Sequence, residues 1–240
     1  MTTSCWENIW EEYQHSAKAN PAQNYRRELI HFLIGDDFPA RIVDAGCGTG
    51  ELLASLHQHY PSAELLGLEL SATGIEAAKA IAPQAHYWQT DLTEPQEVPE
   101  PFAGWATHAT CSEVLEHLAK PDQFLKELRK YLAPGGKLIV TVPSGPMSEF
   151  DRFLGHQQHF SQESLAQLLR DAGFHRVTVL RAGFPFFNLY RCLVVLRGKK
   201  LIQDARAKNN HWLFRLFRVL FRMNLRRSQW GWQLIASANG

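Results

Sequence analysis

Two stretches of this 240-residue chain combine residue types that bind ligands or move protons. The segment Asp44–Gly50 places an acid before glycines at every second position, and such a backbone can turn sharply and approach a ligand closely. Glu113 and His117 are four residues apart, so a helix beginning at Glu113 would place both on one face. There the carboxylate would orient the imidazole and raise its pKa, which predicts a general base at His117.

The chain around these stretches alternates short apolar strands with amphipathic helices, the pattern of an α/β protein with a parallel sheet. We predict strands at 41–45, 64–69, 85–90, 105–111, 137–142, 176–181 and 232–237. Helices are predicted at 51–60, at 71–81 capped by Ser71, from 113, from 121 or 122 to the turn at 134–136, and at 162–172 capped by Ser161. Two further helices precede the first strand within residues 4–34.

An open parallel sheet binds ligands at the carboxyl ends of its strands, and the predicted strand ends carry suitable groups. Asp44 lies near the end of the first strand, Glu69 ends the second, Asp91 follows the third, and Cys111 ends the fourth. The Glu69 carboxylate could accept two hydrogen bonds from a ribose diol. Two structural alternatives stay open at this point: Asp91 as the cap of a turn, and Glu69 as a solvated strand end.

The glycine loop in this strand–helix context resembles the first motif of class I S-adenosylmethionine-dependent methyltransferases. Its spacing differs from the dinucleotide pattern Gly-x-Gly-x-x-Gly, which makes nicotinamide binding the weaker competitor. The resemblance implies a Rossmann-like, seven-stranded, mostly parallel sheet with helices on both faces and an antiparallel last strand between strands five and six. It implies S-adenosylmethionine as cofactor, held by Asp44, Gly46, Cys47, Gly48, Gly50, Glu69, Leu70, Asp91, Leu92, Cys111 and Ser112, with Tyr13 and Arg26 from the N-terminal helices.

The string Glu113-Val-Leu-Glu-His117 resembles the ubiquinone-pathway O-methyltransferases and their relatives. That resemblance favours His117 as the catalytic base and oxygen as the methyl acceptor in a small hydrophobic or aromatic molecule, with nitrogen or carbon acceptors as alternatives. Substrate contacts are expected from Glu113, His156, His159, Phe160, Phe186 and Tyr190. We predict no metal site, because His156 and His159 have no further ligand cluster near them in the sequence.

The predicted organisation is a single methyltransferase domain over residues 1–240. Residues 1–37 form an N-terminal helical segment over the cofactor, with Tyr13, Tyr25 and Arg26 as candidate contacts. Residues 38–182 and 230–240 form the core, and 183–229 form a basic, aromatic helical insertion before the last strand.

The insertion concentrates the positive charge of the chain. Twelve basic residues and the acid Asp204 give residues 181–230 a charge of +11, which leaves −10 for the rest of a chain whose total is +1. Within it, 212–227 reads as one helix with arginines near one face. Such a helix suits a cap over the pocket, a partner or a membrane surface, so a non-catalytic, cofactor-binding adaptor stays an alternative function. An RNA-directed enzyme is a further rival, but no nucleic-acid-binding motif accompanies the patch and no nucleic-acid partner is predicted.

The remaining composition fits a protein of the cytoplasm. The four cysteines are scattered without a CxxC pair, which argues against disulfides or a zinc site. We identify neither a signal peptide nor an apolar run of membrane-spanning length. A small molecule is therefore the partner that the sequence predicts.

Overall fold

A computed structural model describes residues 20–35, 37, 39–197 and 211–240 of the chain. Its helices are α1 (Pro21–Ile34), α2 (Glu51–His59), α3 (Ala72–Ile81), α4 (Pro121–Arg129), α5 (Glu149–Phe153), α6 (Gln162–Asp171), α7 (Phe186–Arg197) and α8 (His211–Phe221). Its strands are β1 (Arg41–Ala45), β2 (Glu64–Glu69), β3 (His86–Gln89), β4 (Ala106–Ser112), β5 (Leu132–Pro143), β6 (His175–Ala182) and β7 (Gln233–Asn239). The first of the two helices predicted within residues 4–34, and with it Tyr13, lies outside the described residues.

The strands form one seven-stranded sheet in the order β3-β2-β1-β4-β5-β7-β6. β7 runs antiparallel to both β5 and β6, whereas β1 pairs in parallel with β2 and β4. The predicted Rossmann-like sheet with an antiparallel last strand is therefore confirmed. The strand order reverses at β1, so the carboxyl ends of β1, β2 and β4 border the switch point at which such sheets bind ligands.

Successive side chains of a strand point to opposite faces of the sheet. Alternate residues of the central strands therefore pack into two core layers, one on each face. Val43 and Leu66 pack with α4 and α6, whereas Ile42 and Leu65 pack with α1 and α2. On the face of the sheet that contains Ile235, α1, α7 and α8 share an aromatic cluster. Its buried aromatic members are Tyr25, Phe187, Tyr190, Phe217 and Phe221.

The helix predicted to begin at Glu113 does not form. Glu113 has a φ of 58°, a left-handed conformation that cannot start an α-helix, and only a 3₁₀ turn at Leu115–His117 follows it. The backbone N–H of Glu113 donates to the Thr141 carbonyl at 2.9 Å, so this residue extends the β4–β5 ladder instead.

The helix predicted over 212–227 ends earlier, at Phe221. The chain then turns, and the Asn224 side-chain oxygen accepts hydrogen bonds from the backbone N–H groups of Phe186 (2.9 Å) and Phe187 (3.2 Å). Asn224 thereby caps the first turn of α7. Arg222 and Arg226 accordingly lie beyond α8, in the segment that leads back to β7.

Candidate functional site

The glycine loop after β1 wraps around the carboxylate that ends β2. The N–H of Gly48 donates to one Glu69 oxygen at 3.0 Å, and the N–H of Ser71 donates to the other at 3.0 Å. Glu69 is only 6% exposed, and burial raises its pKa while these backbone N–H groups lower it. Each oxygen keeps a further lone pair for a ligand hydroxyl, so the arrangement suits recognition of a diol.

Two positions of this loop require glycine, because neighbouring atoms leave too little space for a side chain. Gly46 has a φ of 72°, and a Cβ there would lie 2.6 Å from a methyl carbon of Val114. Gly50 has a φ of 84°, and a Cβ there would lie 3.0 Å from the backbone of Ala78 in α3. Side chains are disfavoured at such φ values. The loop therefore packs tightly between α3 and the segment after β4, which fixes the backbone that faces the ligand.

Asp44 is the second acid at this edge of the sheet, and it is 2% exposed. It accepts a hydrogen bond from the Thr110 hydroxyl of β4 at 2.7 Å. Burial raises its pKa to about 7, an effect that Thr110 opposes and the negative charge of Glu69 reinforces. Among the described residues no Lys or Arg forms an ion pair with Asp44 or Glu69. The strand ends of β1 and β2 therefore form an acidic cleft that suits a cationic ligand.

The remaining predicted cofactor residues follow the neighbouring strands. The N–H of Thr90 donates to the Glu69 carbonyl at 3.0 Å, which brings Asp91 beside the end of β2. One Asp91 oxygen accepts from the backbone and hydroxyl groups of Thr93, as expected of a turn cap. Leu92 and Cys111 are buried in the core, and burial raises the pKa of the Cys111 thiol.

Arg26 contacts Glu113 within the described residues. Its guanidinium lies 2.6 Å from a Glu113 oxygen and donates to the Gln233 side chain at 3.0 Å. Gln233 and Thr141 in turn donate to Glu113 at 2.8 and 3.1 Å. The predicted pairing of Glu113 with His117 is therefore wrong: the carboxylate that was expected to orient the imidazole belongs to an ion pair linking α1, β4 and β7.

His117 lies instead in a cluster with His156 and His159, which come from the segment between α5 and α6. The His117 and His156 rings meet edge-on with centroids 4.7 Å apart, and His156 Nδ1 lies 3.1 Å from His159 Nε2. Burial lowers the pKa of His117, contrary to the predicted rise, although a hydrogen bond to Gly155 and the charge of Glu113 oppose it. His117 is therefore neutral near pH 7 and able to accept a proton. Burial and the neighbouring His117 lower the pKa of His156 to about 3.

Glu116 and Asp151 are two fully buried acids beside these rings. Arg191 of α7 holds Asp151 with two hydrogen bonds of 2.9 and 3.1 Å. Burial would raise the Asp151 pKa, but Arg191 and Ser148 lower it to about 2. Neither Glu116 oxygen has a hydrogen-bond partner among the described residues, and burial together with the charge of Glu113 raises the Glu116 pKa well above its usual range. A buried polar group without a hydrogen-bond partner costs about 1–3 kcal/mol, and the raised pKa favours the neutral form of Glu116, which is the less costly one to bury.

Reasoning from sequence missed Glu116, Asp151 and Arg191. An acid flanked on both sides by apolar residues, in the segment Val114–Leu118, was the available signal for Glu116. Asp151 of α5 and Arg191 of α7 are forty residues apart in the sequence, and no local sequence pattern predicts such a pair.

Three of the predicted substrate residues, Phe160, Phe186 and Tyr190, pack or form hydrogen bonds within the protein. Phe160 lies in the main core, Phe186 packs against the aromatic cluster, and the Tyr190 hydroxyl donates to Asn20 at 3.2 Å. A surface cavity of about 380 Å³ lined by Lys126, Arg129 and Pro134 opens near the amino end of β5, and none of the predicted site residues lines it.

Comparisons with known proteins agree with this geometry. The family model for a methyltransferase domain matches residues 13–179. Trans-aconitate 2-methyltransferase from Deinococcus radiodurans is 34% identical over 191 residues, covering 70% of this chain and 69% of that protein. The enzyme of the same name from Azoarcus sp. is 30% identical over 139 residues, and this chain spans about half of its length (51%, with 56% of this chain covered).

Two further relatives extend the comparison. Ubiquinone biosynthesis O-methyltransferase from Vibrio cholerae is 30% identical over 144 residues, covering 58% of this chain and 55% of that protein. A crystal structure of an S-adenosylmethionine-dependent methyltransferase from Thermotoga maritima shares the fold, with a TM-score of 0.63 at 18% identity over 98% of this chain and 97% of that one.

Proposed function

The chain belongs to the class I S-adenosylmethionine-dependent methyltransferases, and from that premise we propose that it methylates a hydroxyl oxygen of a small, hydrophobic or aromatic acceptor. The cofactor's ribose is held by Glu69, and its cationic sulfonium lies in the acidic cleft at the ends of β1 and β2. One observation carries the choice of oxygen: the neutral, buried imidazole of His117 lies just beyond the end of β4.

Methyl transfer is an in-line displacement, so alignment of the acceptor, the methyl carbon and the sulfur supplies most of the rate enhancement. A hydroxyl must also lose its proton, and a positioned base contributes about 10²–10⁴-fold. His117 accepts that proton in this proposal, while Glu113, His156 and His159 border the acceptor. The Vibrio cholerae relative, named as an O-methyltransferase, supports oxygen over nitrogen or carbon.

Incubation of the protein with methyl-labelled cofactor and fractionated small-molecule extracts tests the acceptor. We expect a product whose mass spectrum and hydrolysis identify a new O-methyl group. His117→Ala should lower kcat by about 10²–10⁴-fold and leave the affinity for S-adenosylhomocysteine unchanged, whereas His175→Ala on the exposed strand β6 serves as the control. An N- or C-methylated product would refute the choice of oxygen.

A second candidate function, an adaptor that docks on a membrane, is favoured by the exposed side of α8 and the turn after it. Leu216, Val219 and Met223 are 44%, 59% and 64% exposed and recur at helical spacing. Each follows an exposed arginine, at positions 215, 218 and 222. Apolar side chains beside cations suit the interface of an anionic bilayer. No helix among the described residues is long and apolar enough to cross a bilayer.

Flotation with liposomes that contain or lack anionic lipid tests this candidate. Binding to anionic liposomes should fall when Arg215, Arg218 and Arg222 are changed to Gln, and persist when the exposed Lys79, Lys126 and Arg170 are changed in the same way. Equal flotation of the two triple variants, or no flotation of the wild type, would remove the membrane role.

A further inference from the structure

Asp44 and Glu69 are two buried acids on the same side of the sheet. Asp44 of β1 pairs with Gly67 of β2, and Glu69 lies two residues further along that strand, so both side chains point to one face. Two carboxylates that share a buried site rarely ionise together, because the second charge meets both a low dielectric and the first charge. Near neutral pH the pair therefore favours holding one proton.

The hydrogen bonds around the pair identify Asp44 as the acid that takes this proton. Glu69 accepts backbone N–H groups on both of its oxygens, and such donors favour the ionised form. Asp44 accepts a hydrogen bond on one oxygen, from the Thr110 hydroxyl, and from no other described residue. That hydroxyl also lies 3.5 Å from the Val43 carbonyl, to which it can donate while it accepts from a protonated Asp44. Both protonation states of Asp44 are thus hydrogen-bonded.

The titratable groups that surround Asp44 are acids or are neutral near pH 7. Burial raises the pKa values of the Cys47 thiol, the Tyr87 hydroxyl of β3 and the Cys111 thiol of β4, and the charge of Asp44 raises them further. Glu51, at the start of α2, adds another negative charge beside Cys47. Among the described residues, none in this group supplies a cation that would hold Asp44 ionised.

The cofactor and its product differ by one charge at the sulfur. The sulfur of S-adenosylmethionine is a cation, and methyl transfer leaves the electrons of the broken S–C bond on a neutral thioether. A cation beside Asp44 favours the carboxylate over the acid, whereas the neutral product leaves the two acids facing each other. Binding and protonation are linked, so a ligand that favours the ionised form also displaces the proton.

We propose that Asp44 distinguishes the cofactor from its product by charge: S-adenosylmethionine binds with loss of one proton from Asp44, and Asp44 takes up a proton from solvent once the sulfur is neutral. Asp44 is thus a specificity-determining residue, and the uptake of the proton eases release of S-adenosylhomocysteine. The inference rests on the proposed placement of the cofactor at the ends of β1 and β2. It does not depend on the methyl acceptor or on His117.

Calorimetric titration of the full chain with each of the two ligands, in buffers that differ in their heat of ionisation, counts the protons released. For a group that titrates near pH 7, S-adenosylmethionine should release about 0.9 proton at pH 6.0, and its affinity should rise about 8-fold between pH 6.0 and 7.5. S-adenosylhomocysteine should release close to none and bind equally across this range. The range lies below the pKa of an α-amino group, about 8.

Three variants assign the proton to Asp44. Asp44→Asn removes the titrating group, so the two ligands should release equal numbers of protons and the affinity for S-adenosylmethionine should no longer rise with pH. Thr110→Val removes the donor that favours the ionised form, so the rise should move to higher pH. This second variant retains Asp44 and keeps the test decisive if Asp44→Asn does not fold. Glu64→Gln, at the exposed start of β2, should match the wild type.

Equal proton release with the two ligands in the wild type would overturn the proposal and leave the cofactor site standing. A pH dependence that survives in Asp44→Asn, or that does not move in Thr110→Val, would do the same. A folded wild-type protein that binds neither ligand would instead refute the proposed cofactor site, and this inference with it.

Discussion

In the proposed cofactor site, Glu69 is the side chain that would link the local fold to the ligand. Its two oxygens fix the glycine loop through Gly48 and the start of α3 through Ser71. The same oxygens keep the lone pairs that a ribose diol needs. We therefore expect loss of the charge to weaken both the loop and the proposed ligand contact.

Glu69→Gln should lower the affinity for S-adenosylhomocysteine by about 10- to 100-fold, because hydrogen bonds to a charged group contribute about 1.5–3 kcal/mol. Calorimetric titration measures this affinity. Glu64→Gln, at the exposed start of the same strand, should bind as tightly as the wild type. Equal affinities in the two variants would show that Glu69 does not hold the cofactor.

The sequence predicted the placement of side chains beside the end of their own strand, and it missed contacts that form across the fold. Asp44, the glycines and Glu69 follow strand ends, whose position is visible from the apolar pattern. The partner of Glu113 was assigned to the nearby His117, but Arg26, from a helix 87 residues earlier in the chain, takes that place. An ion pair so distant in sequence leaves no periodic signal.

The helix α1 is fastened to the sheet by the ion pair between Arg26 and Glu113, whose side chains are 11% and 12% exposed. Removing one partner of a buried ion pair leaves an uncompensated charge, which costs about 3–5 kcal/mol. Replacing both by neutral groups removes that charge.

Arg26→Met should accordingly destabilise the protein by about 3 kcal/mol or more, and Glu113→Gln in the same chain should recover much of the loss. Urea unfolding gives both values. The exposed pair Lys79–Glu76 provides a control, because Lys79→Met should change stability by less than about 1 kcal/mol. If the double variant is no more stable than Arg26→Met, the charge is not the cause.

The contact between α1 and α2 predicts a dependence on pH. His31 stacks on His59 with ring centroids 3.8 Å apart and lies 2.9 Å from the Ser55 hydroxyl. Burial, then the charges of His59 and Arg27, lower its pKa from 6.5 to about 4. The unfolded chain thus binds the proton more readily, so the stabilising effect of neutral His31 is complete above pH 6.5 and is lost as the pH falls toward 4.

Urea unfolding between pH 7.5 and 4.5 should show this as a shallower fall in stability for His31→Asn than for the wild type. The expected difference is about 1 kcal/mol after allowance for solvent screening of a partly exposed ring. His86→Asn, on the exposed edge strand β3, should follow the wild-type curve. Parallel curves for wild type and His31→Asn would contradict the assignment.

Helices with a clear apolar periodicity and a capping residue in the sequence were predictable. Helix ends that depend on contacts with distant parts of the chain were not. Ser71 and Ser161 begin α3 and α6 as predicted. The end of α8 at Phe221 depends on Asn224, which caps α7. The helix predicted from Glu113 is lost because Glu113 joins the β4–β5 ladder. Those partners become neighbours only after the sheet has formed.

For the whole molecule, the alternation of strands and helices predicted a parallel sheet, and the resemblance to class I methyltransferases supplied the order of its strands. That order locates the proposed cofactor cleft at the switch point. The cleft at β1 and β2 is acidic, whereas the exposed side of α8 is basic. The two surfaces therefore suit different ligands, a sulfonium and an anionic partner. Neither surface identifies the acceptor atom, which in our proposal is selected by the side chains around His117.

The claim on which everything else depends is that the ends of β1 and β2 hold S-adenosylmethionine. Calorimetric titration of the wild-type protein with S-adenosylhomocysteine, and separately with NAD⁺, tests it most directly. We predict one molecule of S-adenosylhomocysteine bound per chain and no heat of binding with NAD⁺. A folded protein that binds NAD⁺, or that takes up no S-adenosylhomocysteine, would contradict the account.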